Sequence, residues 1–246
     1  MRAMILAAGR GERMRPLTLA RPKPLLAVGG EALIEHHLRA LAAAGFHEVV
    51  VNLSWLGEQI AAALGDGTRY GLSIHYSDEG AEPLETGGGI FRALQRLCPM
   101  GVESFLVLNG DVWMDYPYER LRARFAAGLP AKDQAHLVLV PNPAHNPKGD
   151  FAVLDDRMVE PVPGMAADAA VAKRIATLPR WTFSGLGVYQ PSLFNGCNDG
   201  VFKLAPLLRA AAVQNRVGVE VFEGDWQDIG TPERLEALNA RLGDRG

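Results

Sequence analysis

Four short stretches of this 246-residue chain combine small residues, fixed cations and carboxylates in the way phosphate chemistry demands. The first is Leu6-Ala7-Ala8-Gly9-Arg10-Gly11-Glu12-Arg13-Met14-Arg15-Pro16. An apolar run over residues 3–7 feeds a glycine-bearing loop, and open α/β sheets bind ligands in such loops at the carboxyl ends of their strands. Glycines there let backbone N–H groups approach phosphate oxygens. A dinucleotide-binding turn would want a third glycine where Met14 stands, and a GxxxxGK[ST] phosphate loop is absent. The segment is a phosphate loop of another type, or a tight turn with surface arginines.

The second stretch is Arg21-Pro22-Lys23-Pro24-Leu25. Two prolines stiffen the backbone around the lysine, and a cation held that way suits a developing phosphoryl charge. The third, Leu106-Val107-Leu108-Asn109-Gly110-Asp111, ends an apolar strand on a carboxylate that a magnesium ion could bridge to phosphates. It reads equally as an Asn-Gly turn with Asp111 capping a helix. The fourth, Asp225-Trp226-Gln227-Asp228-Ile229-Gly230-Thr231-Pro232, offers a second carboxylate, which alone reads as a turn or capping residue.

The elements that must position these residues alternate. Helical stripes fall at 32–44, 55–64, 88–97 and 118–127, and apolar strand patterns at 3–7, 47–53, 72–76, 105–108 and 136–140. Gly45 and Gly65 close the first two helices, and Ser54 is the expected cap of the second. This order predicts an α/β fold: a mainly parallel, doubly wound, Rossmann-like sheet flanked by helices. The second half is less regular, with strands at 151–159, 181–189 and 216–222 and helices at 202–214 and 231–242. It is expected to form a small substrate-facing lobe. The expected organisation is one domain over 1–243: a first half (1–141), a second half (142–230) and a C-terminal helix (231–243). No hexapeptide repeat follows the catalytic-looking region, so no appended β-helix is expected.

Composition narrows the partners. The net charge is −3 and no run of Lys or Arg exceeds two residues, so neither nucleic acid nor an anionic membrane is an expected partner. Cys98 and Cys197 stand outside any zinc or disulfide spacing, which fits a reducing, cytoplasmic compartment. His36 and His37 are adjacent on a helix, point about 100° apart and read as surface residues. Trp55 reads as core. Ser184 lacks a nucleophile elbow. Nothing in the sequence indicates oligomeric state.

Taken together and in order, Leu6 to Thr18, Pro22 to Leu25, Asn109-Gly110-Asp111, Phe183-Ser184-Gly185 and Asp228 to Thr231 resemble the sugar-1-phosphate nucleotidyltransferases, across nearly the whole chain. Within that family, residues 83–90 and 202–209 are similar to the uridylyltransferases of cell-wall recycling, whose sugar carries a lactyl carboxylate. The resemblance implies UTP and a sugar 1-phosphate as substrates, with guanylyl or thymidylyl transfer as the competing chemistry. It assigns Leu6, Ala7, Ala8, Gly9, Gly11, Arg13 and Asn109 to the nucleotide, with Arg15 and Lys23 as catalytic cations. Glu85, Thr86, Gly87 and Gly88 fall where the family reads the base. Asp111 and Asp228 match its Mg²⁺-binding pair. Gly149, Glu160, Ser184 and Gly185 fall at its sugar pocket.

One departure stands out. Many members have Val-Glu-Lys-Pro where this chain has Val159-Glu160-Pro161, so another cation must meet the sugar phosphate. Lys203 is the first candidate, ahead of Lys148, Lys173 and Arg174. The insert over 161–179, carrying Lys173-Arg174 with Arg180 just beyond, is expected to border the sugar as a flap. One of these cations would pair with the sugar's carboxylate. Two rival classes are a non-catalytic nucleotide-sugar sensor, which the joint presence of Lys23, Asp111 and Asp228 opposes, and a dinucleotide-dependent oxidoreductase.

Overall fold

The computed structural model describes residues 1–101, 103–161 and 169–243. The chain runs β1 (Ala3–Leu6), α1 (Leu17–Ala20), β2 (Ala27–Val28), β3 (Glu31–Ala32), α2 (Leu33–Ala43), β4 (Glu48–Leu53), α3 (Gly57–Leu64), β5 (Ser73–Asp78), α4 (Glu85–Leu97), β6 (Phe105–Asn109), β7 (Val112–Met114), α5 (Tyr118–Arg124) and β8 (Ala135–Val140). It continues with β9 (Phe151–Leu154), β10 (Arg157–Val159), α6 (Ala169–Ala176), β11 (Arg180–Tyr189), α7 (Leu204–Val213), β12 (Val217–Val221), β13 (Trp226–Asp228) and α8 (Pro232–Gly243).

Nine strands form one sheet in the order β5-β4-β1-β6-β11-β8-β12-β10-β9. Both of its faces are covered, so strand side chains alternate between two apolar cores. In β1, Ala3 and Ile5 face the core built with α2, α3 and α5, while Met4 faces the one built with α4 and α7. Burial on both faces is why these strands read as unbroken apolar runs. A third, small core joins Met14 from the first loop to Val28, Leu33, Ile229 and α8 residues Leu235 and Leu238. It ties the end of the chain to the putting-together of the first loop.

The sheet is mixed. Parallel pairing holds β5-β4-β1-β6 and β8-β12. Between these blocks β11 lies antiparallel to both β6 and β8. The sheet runs without interruption through both halves of the chain, and β9 and β10 extend it as a hairpin at the edge. Most element positions agree with the sequence pattern to within a few residues.

Several local expectations need correction. Ser54 does not cap α3: that helix starts at Gly57 behind Leu56 in a left-handed conformation, and the Ser54 hydroxyl donates to the Gly80 carbonyl. His37 is buried, not on the surface, and burial pushes its imidazole down to about 4. Trp55 is only half-buried; its indole N–H donates to the Thr18 carbonyl, and Arg10 lies over its ring. Helix α4 begins at Glu85, three residues before the expected start. The two-stranded ladder of β7 with β13 was not legible at all, and it is the one that assembles the site.

Candidate active site

The carboxyl ends of β1, β4 and β6 open on a cleft of about 580 Å³. It is lined by Leu6, Ala7, Ala8, Gly9, Gly11, Arg13, Lys23, Glu85, Thr86, Asn109 and Asp111, which is most of the expected nucleotide site. Arg10, Asn52, Glu79 and Gly230 also line it. The loop after β1 keeps its shape through two devices. Gly11 sits at φ +60°, and a Cβ there would stand 2.9 Å from the Thr18 methyl. The Thr18 hydroxyl donates to the Gly11 carbonyl at 2.8 Å. Gly9 has open space around it, leaving its backbone accessible to a ligand. Arg15 lies outside the cleft lining, half-exposed and 3.6 Å from Glu12.

Beneath the loop runs a polar chain that the sequence did not advertise. Asn52, the penultimate residue of β4, accepts from the Ala7 N–H at 2.6 Å and donates to Glu79 at 2.6 Å. The other oxygen of Glu79 accepts from the Leu84 N–H at 2.7 Å. One buried carboxylate thereby fixes both the loop after β1 and the entry to α4, and burial pushes its carboxyl above the usual carboxylate range.

Helix α4 carries the residues expected to read the base. Its first residue, Glu85, holds φ +62°, a conformation that costs a non-glycine residue and points to a constraint at this spot. The glycines behind it are packing devices. A Cβ on Gly87 would meet the Phe202 ring at 2.5 Å, and one on Gly88 would meet the Gly200 carbonyl oxygen at 2.1 Å. Here the segment before α7 presses against the helix, with Gly88 N–H donating to Phe202 O and Phe202 N–H to Leu84 O. Gly87 and Gly88 are therefore lining of the helix interface, not of the cleft.

The two candidate metal carboxylates are brought together by backbone. Strand β13 pairs with β7 so that Asp228 faces Val112, and the Ile229 N–H donates to the Asp111 carbonyl at 3.0 Å. Asp111 opens on the cleft with its carboxylate 2.8 Å from Lys23 Nζ. Lys23 itself is 7% exposed, in a turn of 3-10 helix, Lys23–Leu25. Asp228 stands at the rim: its oxygens would lie 3.1–3.2 Å from a Cβ on Gly230, which lines the cleft. Its carboxylate is held by Arg234 at 2.8 Å and His145 at 3.4 Å. Two hard oxygen donors at the edge of a phosphate-sized cleft fit a magnesium ion, which takes one or two carboxylates and fills its remaining positions with water and phosphate. No group of three or more His, Cys, Asp or Glu stands together among the described residues.

The expected sugar residues lie outside the cleft. Gly185, at φ +89° in a bulge of β11, packs on Asn109, so β11 adjoins the cleft at that point. Ser184 is fully buried; its hydroxyl donates to Val138 O and accepts from the Leu186 N–H, and its carbonyl accepts from the Trp226 indole. The side chain shapes the bulge and is not free to meet a sugar. Gly149, at φ +62°, lies against the backbone of Arg180 and Trp181. Glu160 is paired with Arg209. Lys203 is exposed beside Gly87. Lys173 and Arg174 are exposed on α6, and their side chains make no hydrogen bond or ion pair among the described residues. Residues 162–168 of the expected flap lie outside the described residues.

A glycine-cornered phosphate loop, a buried lysine on a carboxylate and a second carboxylate delivered by a crossing strand are the parts of a nucleotidyl transferase, and residues 2–153 match the model of that family. The chain belongs to the nucleotidyl transferase family. It is 49% identical over 244 residues to the N-acetylmuramate alpha-1-phosphate uridylyltransferase of Neisseria meningitidis serogroup B, covering 99% of both chains. It is 36% identical over 248 residues to the protein of that name from Caulobacter vibrioides, covering 98% of this chain and 97% of that one. The crystal structure of UDP-glucose pyrophosphorylase complexed with UDP-glucose superposes with a TM-score of 0.72 at 17% identity, over 100% of this chain and 99% of that one, which establishes the shared fold. No helix among the described residues is long and apolar enough to cross a membrane.

Proposed function

We propose that the chain transfers a uridylyl group from UTP to N-acetylmuramate α-1-phosphate, giving UDP-N-acetylmuramate and pyrophosphate. The observation that carries this reading is the near-full-length similarity to two proteins of that name. The location of Lys23 and Asp111 in one cleft supports it. We assign residues 1–141 to the nucleotide, 142–230 to the sugar and 231–243 to the closing helix, and we place the reaction in the cytoplasm, where UTP is made.

A sugar phosphate oxygen is anionic at neutral pH and needs no general base. It attacks the α-phosphorus of UTP; the new O–P bond forms as the bond to the β-phosphate oxygen breaks, and the electron pair leaves with pyrophosphate. The task left to the protein is alignment and charge neutralisation. The backbone from Ala8 to Gly11 cradles the triphosphate, and Glu85 with Thr86 faces the base. Lys23 turns from Asp111 toward the α-phosphate, where charge builds in the transition state. Asp111 and Asp228 would hold Mg²⁺, which when bound neutralises the triphosphate and relieves the repulsion between the two carboxylates. Arg234 and His145 orient Asp228 for that task.

The deciding experiment crosses UTP, GTP and dTTP with the 1-phosphates of N-acetylmuramate, N-acetylglucosamine, mannose and glucose, with pyrophosphate release as the readout. The highest kcat/KM is expected for UTP with N-acetylmuramate 1-phosphate. A preference for GTP with mannose 1-phosphate would replace this reading by a guanylyltransferase. Tight nucleotide binding without pyrophosphate release would make the chain a sensor.

A further inference from the structure

Residues 150–209 contain a polar cluster that joins Arg180 and Glu160 to Asp150 and Arg209, two residues with no role so far. Asp150, in the loop before β9, is fixed by its side chain: the carboxylate accepts from Asn146 Nδ2 at 3.0 Å and from the Phe183 N–H at 2.8 Å. Its backbone carbonyl then accepts from two guanidiniums, Arg180 Nη2 at 2.6 Å and Arg209 Nη2 at 3.2 Å. A single neutral oxygen thus gathers two positive charges. Arg209 is also paired with Glu160 and lies over the Phe151 ring at 5.3 Å. Arg180 has no carboxylate within ion-pair distance among the described residues. The carboxylates of Glu160 and Asp150 offset the two guanidiniums in number, but that of Asp150 is taken up by Asn146 and the Phe183 N–H, so the Arg180 guanidinium is left with a neutral acceptor and can pair with a further anion.

Its place in the fold suits a substrate group. Arg180 opens β11 five residues before Gly185, the residue that packs on Asn109 of the cleft. Trp181 and Phe183 lie between, both half-buried. All stand at the sheet edge that carries the cleft, because β11 runs antiparallel to β6 and so begins where β6 ends. A hexose 1-phosphate with its phosphate near Lys23 would send its ring substituents along β11 toward the arginines. Guanidinium forks are matched to carboxylate geometry and stay charged throughout the working pH range.

We propose that Arg180 and Arg209 form a subsite for an oxyanion carried by the sugar ring itself, a carboxylate on a side arm, and that this pair rather than Lys173 or Arg174 sets the choice of sugar. Glu160 balances one of the two cations and holds Arg209 in place. The inference rests on the proposed function for its ligand, the lactyl carboxylate. The same chemistry would also serve the substrate's 1-phosphate, and the two sources are separable.

N-acetylmuramate and N-acetylglucosamine 1-phosphates differ only by the lactyl ether, so the ratio of kcat/KM on the two sugars reports that group, and a change of the ratio on removing a cation reports its carboxylate. Arg180→Ala and Arg209→Ala are each expected to lower that ratio by roughly 10-fold or more, a single lost charge-assisted hydrogen bond, with the change mainly in KM. Arg180→Lys and Arg209→Lys are expected to recover part of it. Arg180→Ala leaves no carboxylate unpaired, so it decides the matter if Arg209→Ala fails to fold. Equal losses on both sugars, which leave the ratio unchanged, would mean that the pair serves the phosphate, and unchanged kcat/KM on both would mean that it touches neither; both overturn the subsite. A wild-type ratio near one instead removes the substrate reading, before any variant is made.

Discussion

At the scale of single residues, Lys23 and Asp111 form an unequal pair. Lys23 is 8% exposed along its side chain, whereas Asp111 is 41% exposed. Removing either partner therefore has different consequences. Lys23→Met leaves a carboxylate that water can reach, so the fold is expected to lose little. Turnover is expected to fall about 10²–10³-fold, with a smaller effect on nucleotide affinity, because the cation is needed most in the transition state. Asp111→Ala strands a buried ammonium and is expected to cost a few degrees in Tm as well as turnover. Thermal melts beside steady-state kinetics separate the two; a Lys23→Met enzyme altered only in KM would make the lysine a uniform binder. The visible part of this site lay in local chemistry: Pro22 and Pro24 around Lys23, the glycines at 9 and 11, and Asp111 after an apolar strand. Asn52 and Glu79 were invisible because each is an ordinary residue at a strand end, and only the parallel pairing of β1, β4 and β5 makes them neighbours.

At the scale of elements, β8 and β12 are joined by side chains as well as by their ladder. Glu220 on β12 accepts from Tyr116, His136 and Arg124. Burial alone would raise its carboxyl, but the hydrogen bonds from His136 and Tyr116 and the two nearby cations outweigh it and bring it down to about 2. A carboxylate depressed on folding stabilises the native state above its unfolded value of 4.5, and that contribution is lost as pH falls toward 2. Glu220→Gln is expected to lower stability at pH 7 on the order of 1–2 kcal/mol. The gap between variant and wild type should close between pH 4.5 and pH 2, as denaturant melts across that range would record. A constant gap would mean that Glu220 acts through packing alone. The alternation of strands and helices was legible because double-sided burial writes itself as apolar runs. The antiparallel insertion of β11 was not, since a strand's direction leaves no mark on its own composition. Neither were β7 and β13, three residues each and too short for any period.

At the scale of the whole molecule, the third small core and the β7–β13 ladder make substrate binding and global stability one equilibrium. The core joins the first quarter of the chain to residues 229–238, and the ladder joins residues 112–114 to residues 226–228. Saturating UTP with Mg²⁺, at about 100 times Kd, is expected to stabilise the fold by roughly 2.7 kcal/mol. For a chain of this size that is on the order of 5–10 °C in Tm. Asp228→Asn should reduce the shift produced by the metal together with nucleotide, while nucleotide alone is affected less. Identical shifts in wild type and Asp228→Asn would remove the residue from metal binding.

The ladder between β7 and β13 also has a meaning in time. A ribosome delivers the phosphate loop, Lys23 and Asp111 early, and the strands of the large sheet before residue 222. Asp228 follows later, on a strand that belongs to no part of that sheet. A nascent or prematurely terminated chain that stops short of it can assemble most of the nucleotide cleft, yet it lacks the partner that completes the carboxylate pair. Such fragments would sequester UTP without consuming it. With the role proposed for Asp228, a copy that stops short of that residue is expected to be catalytically silent.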